Sequence, residues 1–131
     1  MGSRLASSPK ITSTLKVHGL RLMVRLGCTE EERRIAQPVE WNLEMSWNNL
    51  PIASESDDLR DTICYDELTK IIASVCQAGD YKLIEHLAYK ALQNMRPQLK
   101  SLARVFVAVR KLHPPISIPN DGTSFEIEEV S

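Results

Sequence analysis

Apolar and polar residues alternate along two long stretches near the start of the chain. Residues 11–26 are rich in Leu, Val, Ile and Thr and predict a strand that bends at Gly19. Residues 39–47 place an apolar side chain at every second position, which is a strong strand pattern. A short polar loop, which opens at Gly27 and runs through Gln37, separates the two stretches. We therefore predict that they pair as an antiparallel hairpin.

The period of the apolar residues becomes helical in the middle of the chain. After Tyr65 they recur at helical spacing as far as Val75, and Gly79 follows as a C-terminal stop. A second helix is predicted over residues 83–96, where an apolar stripe again has helical spacing and Pro97 ends the pattern.

Two more strands are predicted after the helices. Residues 104–110 alternate around three valines, and residues 123–130 form the last strand after a proline-rich loop. The order is β-β-α-α-β-β. This order predicts an α+β fold, with a four-stranded antiparallel sheet and both helices on one of its faces.

Chain length and charge restrict the organisation and the partners. The 131 residues suffice for one domain, which we place at residues 11–131, after a disordered N-terminal tail over residues 1–10. The formal net charge is -1, with both signs interspersed, so neither a nucleic acid nor an anionic membrane is expected as the main partner. A core of this size favours an oligomer that buries more surface.

The cysteines and the hydropathy predict a cytoplasmic protein. Cys28, Cys64 and Cys76 are odd in number and widely spaced, which favours reduced thiols over disulfides or a zinc site. No apolar stretch is long enough for a transmembrane helix. The three histidines are too scattered to predict a metal site, and the isolated glycines form no phosphate-binding loop.

Glu85 lies in the first turn of the second helix, on the flank of its apolar stripe. A carboxylate at this position commonly caps the helix or pairs with a nearby cation. Its two oxygens also suit a planar heterocycle edge that offers two N–H donors. The pattern alone leaves both interpretations open.

Lys111 and Tyr65 are candidates for proton transfer. Lys111 is in phase with the apolar face of the third strand, where a lysine either extends to solvent or is partly buried and exchanges protons near neutral pH. Tyr65 begins the first helix and is either a half-buried packing residue or a phenol that relays a proton beside a lysine.

Five blocks, in the right order over residues 15–130, resemble the dihydroneopterin aldolase family. They are Gly19-Leu20-Arg21, Glu32 with Gln37, the Asp-rich stretch Ser56 to Tyr65, Leu83-Ile84-Glu85-His86-Leu87-Ala88, and Lys111-Leu112-His113-Pro114-Pro115-Ile116. The resemblance implies the tunnelling fold, in which subunits form rings whose sheets join into a barrel. It also implies a homo-octamer of two stacked rings, with active sites between neighbouring subunits.

The resemblance also implies roles for particular residues. Glu85 and the backbone of Ile84 would hold the pterin ring. The backbone at Ile63 and Cys64 would line the pocket with Tyr65. Glu32 would reach the hydroxylated side chain of the substrate from a neighbouring subunit, and Lys111 would donate and accept the proton with help from Tyr65 through water.

The implied reaction is the retro-aldol cleavage of dihydroneopterin in folate biosynthesis, with no metal, no cofactor and no lysine Schiff base. Lys111-Leu112-His113 and the run Glu30-Glu31-Glu32 also resemble dihydroneopterin triphosphate epimerase, which shares the fold. A third alternative is a pterin-binding ring protein without catalysis.

Overall fold

A computed structural model describes residues 9–131 of the chain. The predicted tail over residues 1–10 therefore lies almost entirely outside the described residues. The strands are β1 Ser13–Leu26, β2 Gln37–Trp47, β3 Asp80–Tyr81, β4 Arg104–Lys111 and β5 Thr123–Val130. The helices are α1 Glu30–Arg33, α2 Ala53–Ser56, α3 Tyr65–Gln77 and α4 Ile84–Met95.

The strands form one sheet in the order β3-β1-β2-β4-β5. β1 pairs antiparallel with β2, as the hairpin prediction required, and β2 with β4 and β4 with β5 are also antiparallel. The prediction of a four-stranded sheet omitted β3, which pairs parallel with the end of β1 through Asp80 and Tyr81. Two residues are too few to show any period, so the pattern could not reveal this strand.

β1 bends at the glycine that the sequence indicated. Gly19 has a φ of 61°, and the register of β1 against β2 shifts between Val17 and Leu20. An extra residue in one strand of an antiparallel pair is a β-bulge, and a glycine tolerates the left-handed backbone there. The side chains on both sides of the bulge therefore keep the correct face toward the core.

Both long helices pack on one face of the sheet, as predicted. The register aligns the inward residues of β2 and β4, so that Trp41 lies opposite Val109 and Val39 lies opposite Lys111. The outer face carries polar rows such as the ion pairs of Glu40 with Arg21 and Arg110. The largest fully buried side chains of the core are Trp41, Leu26, Leu43, Met45, Leu68, Ile72, Leu87, Leu92 and Met95.

The connection between α3 and α4 fixes the direction of both helices. It carries β3, which lies beside the last residues of β1, so α3 ends and α4 begins at this end of the sheet. The Tyr81 hydroxyl donates to the Val75 carbonyl at 2.7 Å, and the Gly27 amide donates to the Tyr81 carbonyl at 2.9 Å. These bonds hold the loop after β1 against the start of α4.

Candidate functional site

Lys111 ends β4 on the buried face of the sheet. Lys111 as a whole is 9% exposed, and its Nζ lies 2.6 Å from Oε2 of Glu32. Removing an ammonium group from water is unfavourable unless an opposite charge or hydrogen bonds replace the lost solvation. The structure therefore favours the partly buried interpretation of Lys111 over the solvent-extended one.

Glu32 is presented by α1, a single helical turn that the sequence analysis treated as loop. Thr29 caps this turn, because its hydroxyl accepts the Glu32 amide N–H at 3.1 Å. Thr29-Glu30-Glu31-Glu32 has the spacing of a capping box, which is the signal that could have predicted the turn. The loop between β1 and β2 thus has a defined conformation in one chain.

The Glu32 carboxyl has a lowered pKa. Burial by itself raises this pKa, but hydrogen bonds from Lys111 and Gln37, the charge of Lys111 and the Cys28 backbone N–H together outweigh it. The group therefore stays ionised near neutral pH and pairs with the lysine.

Ile84 and Glu85 begin α4 close to this pair. The bond from Gly27 to Tyr81 and a contact of 3.7 Å from the Cys28 thiol to the Lys82 carbonyl bring the loop of Glu32 to this helix start. Glu85 is exposed and makes no ion pair within residues 9–131, and α4 begins without a side-chain cap. Neither structural role considered for Glu85 is present, and its carboxylate is available to a ligand.

The second group of candidates, Ile63, Cys64 and Tyr65, lies at the other end of the subunit. Ile63 and Trp47, the last residue of β2, line the same cleft. Tyr65 begins α3, is 58% exposed and does not pack as a half-buried residue. α3 has 13 residues and is therefore about 20 Å long, and it ends near the start of α4. One chain cannot bring Tyr65 to Glu85 and Lys111.

We call the two regions the lysine end and the tyrosine end. The lysine end comprises Gly27, Glu32, Gln37, Ile84, Glu85 and Lys111. The tyrosine end comprises Ile63, Cys64 and Tyr65.

Two expectations about the division between subunits change. Glu32 contacts Lys111 of its own chain, so a site built around Lys111 does not need Glu32 from a neighbouring subunit. Tyr65, which was expected beside Lys111, lies at the opposite end of the same chain. The physical reason is chain direction: β4 ends where α3 ends, whereas Tyr65 is at the beginning of α3.

Gly27 and Gln37 contact the carboxylate and received no role in the sequence analysis. A Cβ at Gly27 would lie 2.4 Å from Cδ of Glu32, and the Gln37 side-chain amide is 3.4 Å from its Oε2. Gln37 was noted only as part of a motif, and no pattern indicated that Gly27 leaves room for a side chain.

Residues 9–131 hold no group of three or more His, Cys, Asp or Glu side chains placed to bind a metal ion. None of the helices in this range combines the length and the apolar character that a membrane crossing requires.

The curled sheet with both helices on one face, and a carboxylate–lysine pair at one end, defines a tunnelling-fold protein with a site suited to proton transfer. The sequence profile of the dihydroneopterin aldolase family matches residues 15–128. The chain belongs to the dihydroneopterin aldolase family.

Curated relatives agree with this assignment over most of their length. A protein of Chlamydia pneumoniae named "Probable dihydroneopterin aldolase" is 35% identical over 103 residues, which are 78% of this chain and 77% of that protein. A Chlamydia trachomatis protein of the same name is 32% identical over 114 residues, or 86% of this chain and 92% of that protein.

Solved structures share the fold at lower identity. The E. coli dihydroneopterin aldolase, in complex with neopterin, aligns with a TM-score of 0.78 at 20% identity and covers 89% of this chain and 98% of that one. A Burkholderia thailendensis dihydroneopterin aldolase bound to guanine aligns with a TM-score of 0.69 at 18% identity, covering 92% of both chains.

Proposed function

We propose that the protein cleaves 7,8-dihydroneopterin into 6-hydroxymethyl-7,8-dihydropterin and glycolaldehyde, a step of folate biosynthesis. Family membership supports the reaction class. The observation that carries the proposal is the buried contact of 2.6 Å between Lys111 and Glu32 beside the start of α4. It places an ionised carboxylate beside an ammonium group, and such a pair can accept and donate the two protons that a retro-aldol cleavage transfers.

The substrate provides its own electron sink. The bond that breaks joins the carbon attached to the ring to the next carbon of the side chain. Removing the proton from the hydroxyl on that next carbon releases glycolaldehyde and leaves a carbanion on the carbon attached to the ring. The C=N bond of the dihydropterin accepts this electron pair, and a proton added to the same carbon gives the hydroxymethyl product. We therefore propose that the reaction uses neither a metal nor a lysine Schiff base. The protein orients the ring and times the two proton transfers.

Each end of the subunit has a proposed task. At the lysine end, the free carboxylate of Glu85 accepts hydrogen bonds from the N–H groups of the pterin edge, and the Ile84 backbone holds the ring. Lys111 donates and accepts the proton, and Glu32 holds its ammonium group and contacts the hydroxylated side chain. At the tyrosine end, a neighbouring copy provides Tyr65 to assist through water and the backbone of Ile63 and Cys64 to line the pocket.

The open edges of the sheet support assembly into a ring. β1 is covered by β3 only at Arg25 and Leu26, and β5 has no further strand beside it within residues 9–131. The directions of β1 and β5 are opposite, so a rotation can join β5 of one copy antiparallel to β1 of the next. The strands of a closed barrel are tilted and staggered. This stagger shifts the tyrosine end of one copy toward the lysine end of its neighbour.

Both ends also expose apolar side chains that an assembly would cover. Ile35 and Leu83, at the lysine end, are 77% and 49% exposed. Ile52 and Leu59, near the tyrosine end, are 70% and 61% exposed. We propose an octamer of two stacked tetramers. We also place the protein in the cytoplasm, because its three cysteines are free thiols.

Incubating the purified protein with dihydroneopterin and separating the products by chromatography tests the function. We expect 6-hydroxymethyl-dihydropterin and glycolaldehyde in equal amounts. Recovery of unchanged dihydroneopterin would refute the proposal. A parallel incubation with dihydroneopterin triphosphate identifies an epimerase, and ligand binding without turnover of either compound identifies a non-catalytic binding protein.

A further inference from the structure

The Glu32 carboxylate occupies space that exists only because residue 27 has no side chain. A Cβ on Gly27 would lie 2.4 Å from both Cδ and Oε1 of Glu32, and 2.5 Å from its Cγ. Such distances are far below normal carbon contacts, so an alanine would displace the carboxylate or the backbone. Gly27 is therefore needed for space at this position.

The Gln37 side-chain amide contacts the same carboxylate from another direction. Its Nε2 donates to the Leu26 carbonyl at 2.5 Å and lies 3.4 Å from Oε2 of Glu32. Oε2 is also the oxygen that contacts Nζ of Lys111. The amide is bonded to the end of β1. It therefore holds the Glu32 carboxylate at a fixed position relative to the sheet that also carries Lys111.

A hydrogen bond from a side chain to the backbone also holds this loop. Arg33 follows Glu32 in α1, and its Nη1 donates to the Gly27 carbonyl at 2.8 Å. This bond keeps the start of the loop against α1, with the Glu32 side chain packed against Gly27. The carboxylate is thus confined by Gly27 on one side and by two donors on the other.

We propose that Gly27 and Gln37 are positioning residues of the reaction, which together hold the Glu32 carboxylate where it aims the Lys111 ammonium group at the substrate. The inference rests on the proposed function. Neither residue touches the reacting atoms. Gly27 acts by leaving space, and Gln37 acts by donating a hydrogen bond.

Gly27→Ala tests the need for space, and Gly79→Ala is its matched control, because a Cβ at Gly79 has no atom within 4 Å. We expect Gly27→Ala to lower kcat on the order of 100-fold, as a displacement of about 1 Å of a catalytic group can do. KM should change much less than kcat, because Glu85 still binds the ring. Gly79→Ala should behave as wild type. Equal kcat values for Gly27→Ala and wild type would overturn the role of Gly27.

Gln37→Met tests the amide, because methionine has a similar shape without the donor. We expect kcat to fall by about 2–10-fold, the effect of one hydrogen bond of ordinary strength. The hydrogen bond from Gln37 contributes to the lowered pKa of Glu32, so its loss should move the acidic limb of the kcat–pH profile to higher pH. The exposed Gln93→Met on α4 is the control. An unshifted acidic limb would contradict the role of Gln37.

The labelling rate of Lys111 separates this inference from the proposed function. The amine is treated with trinitrobenzenesulfonate, and the modified peptide is quantified by mass spectrometry. In wild type the Lys111 side chain is 11% exposed and paired, so labelling should be slow. Gly27→Ala should accelerate it whether or not the protein cleaves dihydroneopterin. Labelling as slow as in wild type, in a variant with unchanged unfolding behaviour, would refute the inference alone.

Discussion

The lysine end and the tyrosine end of the subunit differ in how completely one chain assembles them. Lys111 is buried, and its partner Glu32 receives hydrogen bonds from the lysine and Gln37. Tyr65 is 58% exposed at the start of α3, and the nearby Ile63 lines an open cleft. The carboxylate–lysine pair and the start of α4 are therefore already arranged in a single chain, whereas Tyr65 and the pocket lining beside it would come from a second copy.

This difference assigns separate tasks to folding and to assembly. Folding sets the geometry of the carboxylate–lysine pair, which must be accurate for proton transfer. Assembly would bring the tyrosine end of one copy to the lysine end of another and exclude water from the site. Two variants with substitutions at different ends should therefore restore activity when their chains are mixed, whereas two variants substituted at the same end should not.

The largest effect is expected for Lys111→Ala. Removing the proton donor and acceptor should lower kcat by about 10²–10⁴-fold, the usual contribution of a positioned acid or base. Binding of neopterin, measured by fluorescence titration, should persist because Glu85 is unchanged. The control is Lys90→Ala, an exposed lysine on α4. An active Lys111→Ala variant would remove the lysine from the mechanism.

Mixing two impaired variants tests whether the two ends of an active site belong to different chains. Co-expressed Lys111→Ala and Tyr65→Ala chains should regain activity, because about a quarter of the interfaces in a random mixture combine an intact lysine end with an intact tyrosine end. Lys111→Ala mixed with Glu85→Ala should show no more activity than the two variants assayed separately, since both positions lie at the lysine end. Equal recovery in both mixtures would show that the two-ended arrangement is wrong.

A smaller effect is expected for Glu85→Ala. Loss of charge-assisted hydrogen bonds to the pterin edge should weaken neopterin binding by about 2–4 kcal/mol. Isothermal titration calorimetry can measure this difference. Glu67→Ala removes an exposed acid from the first turn of α3 and serves as the matched helix-start control. If both variants bind neopterin equally well, Glu85 does not hold the ring.

The smallest effect concerns the dependence of stability on pH. The folded-state pKa of Glu32 lies below its ordinary value of 4.5, so its stabilising contribution is present above that pH and is lost as the pH falls through the folded pKa. Urea unfolding should show that Glu32→Gln lowers the free energy of unfolding at pH 7. The difference from wild type should shrink in acid. A difference independent of pH would exclude this ionised pair as its source.

The patterns predicted the architecture well because each long element carries its own period. The alternation in residues 39–47 and the helical spacing after Tyr65 agree with β2 and α3. The short elements α1, α2 and β3 were missed, since two to four residues show no period. The capping-box spacing of Thr29 and Glu32 could have predicted the start of α1, because this signal does not depend on a repeating period.

The candidate residues were found by composition and resemblance, but their grouping was not. The phase of Lys111 with the valines of β4 left a solvent-extended and a partly buried lysine as alternatives, and the structure decided for the buried one. The resemblance implied that Glu32 comes from a neighbouring subunit, but α1 folds back over the end of β1 and places Glu32 beside Lys111 of the same chain.

The sequence by itself determined the long strands, the two long helices and the residue types that can move a proton, because these depend on local periodicity and side-chain chemistry. Only the tertiary structure decided which of those residues meet. Chain direction separates Tyr65 from Lys111 by the length of α3, and Gly27 admits the Glu32 carboxylate by the absence of a single carbon atom. Contacts between residues distant in the chain follow from packing, which no local pattern records.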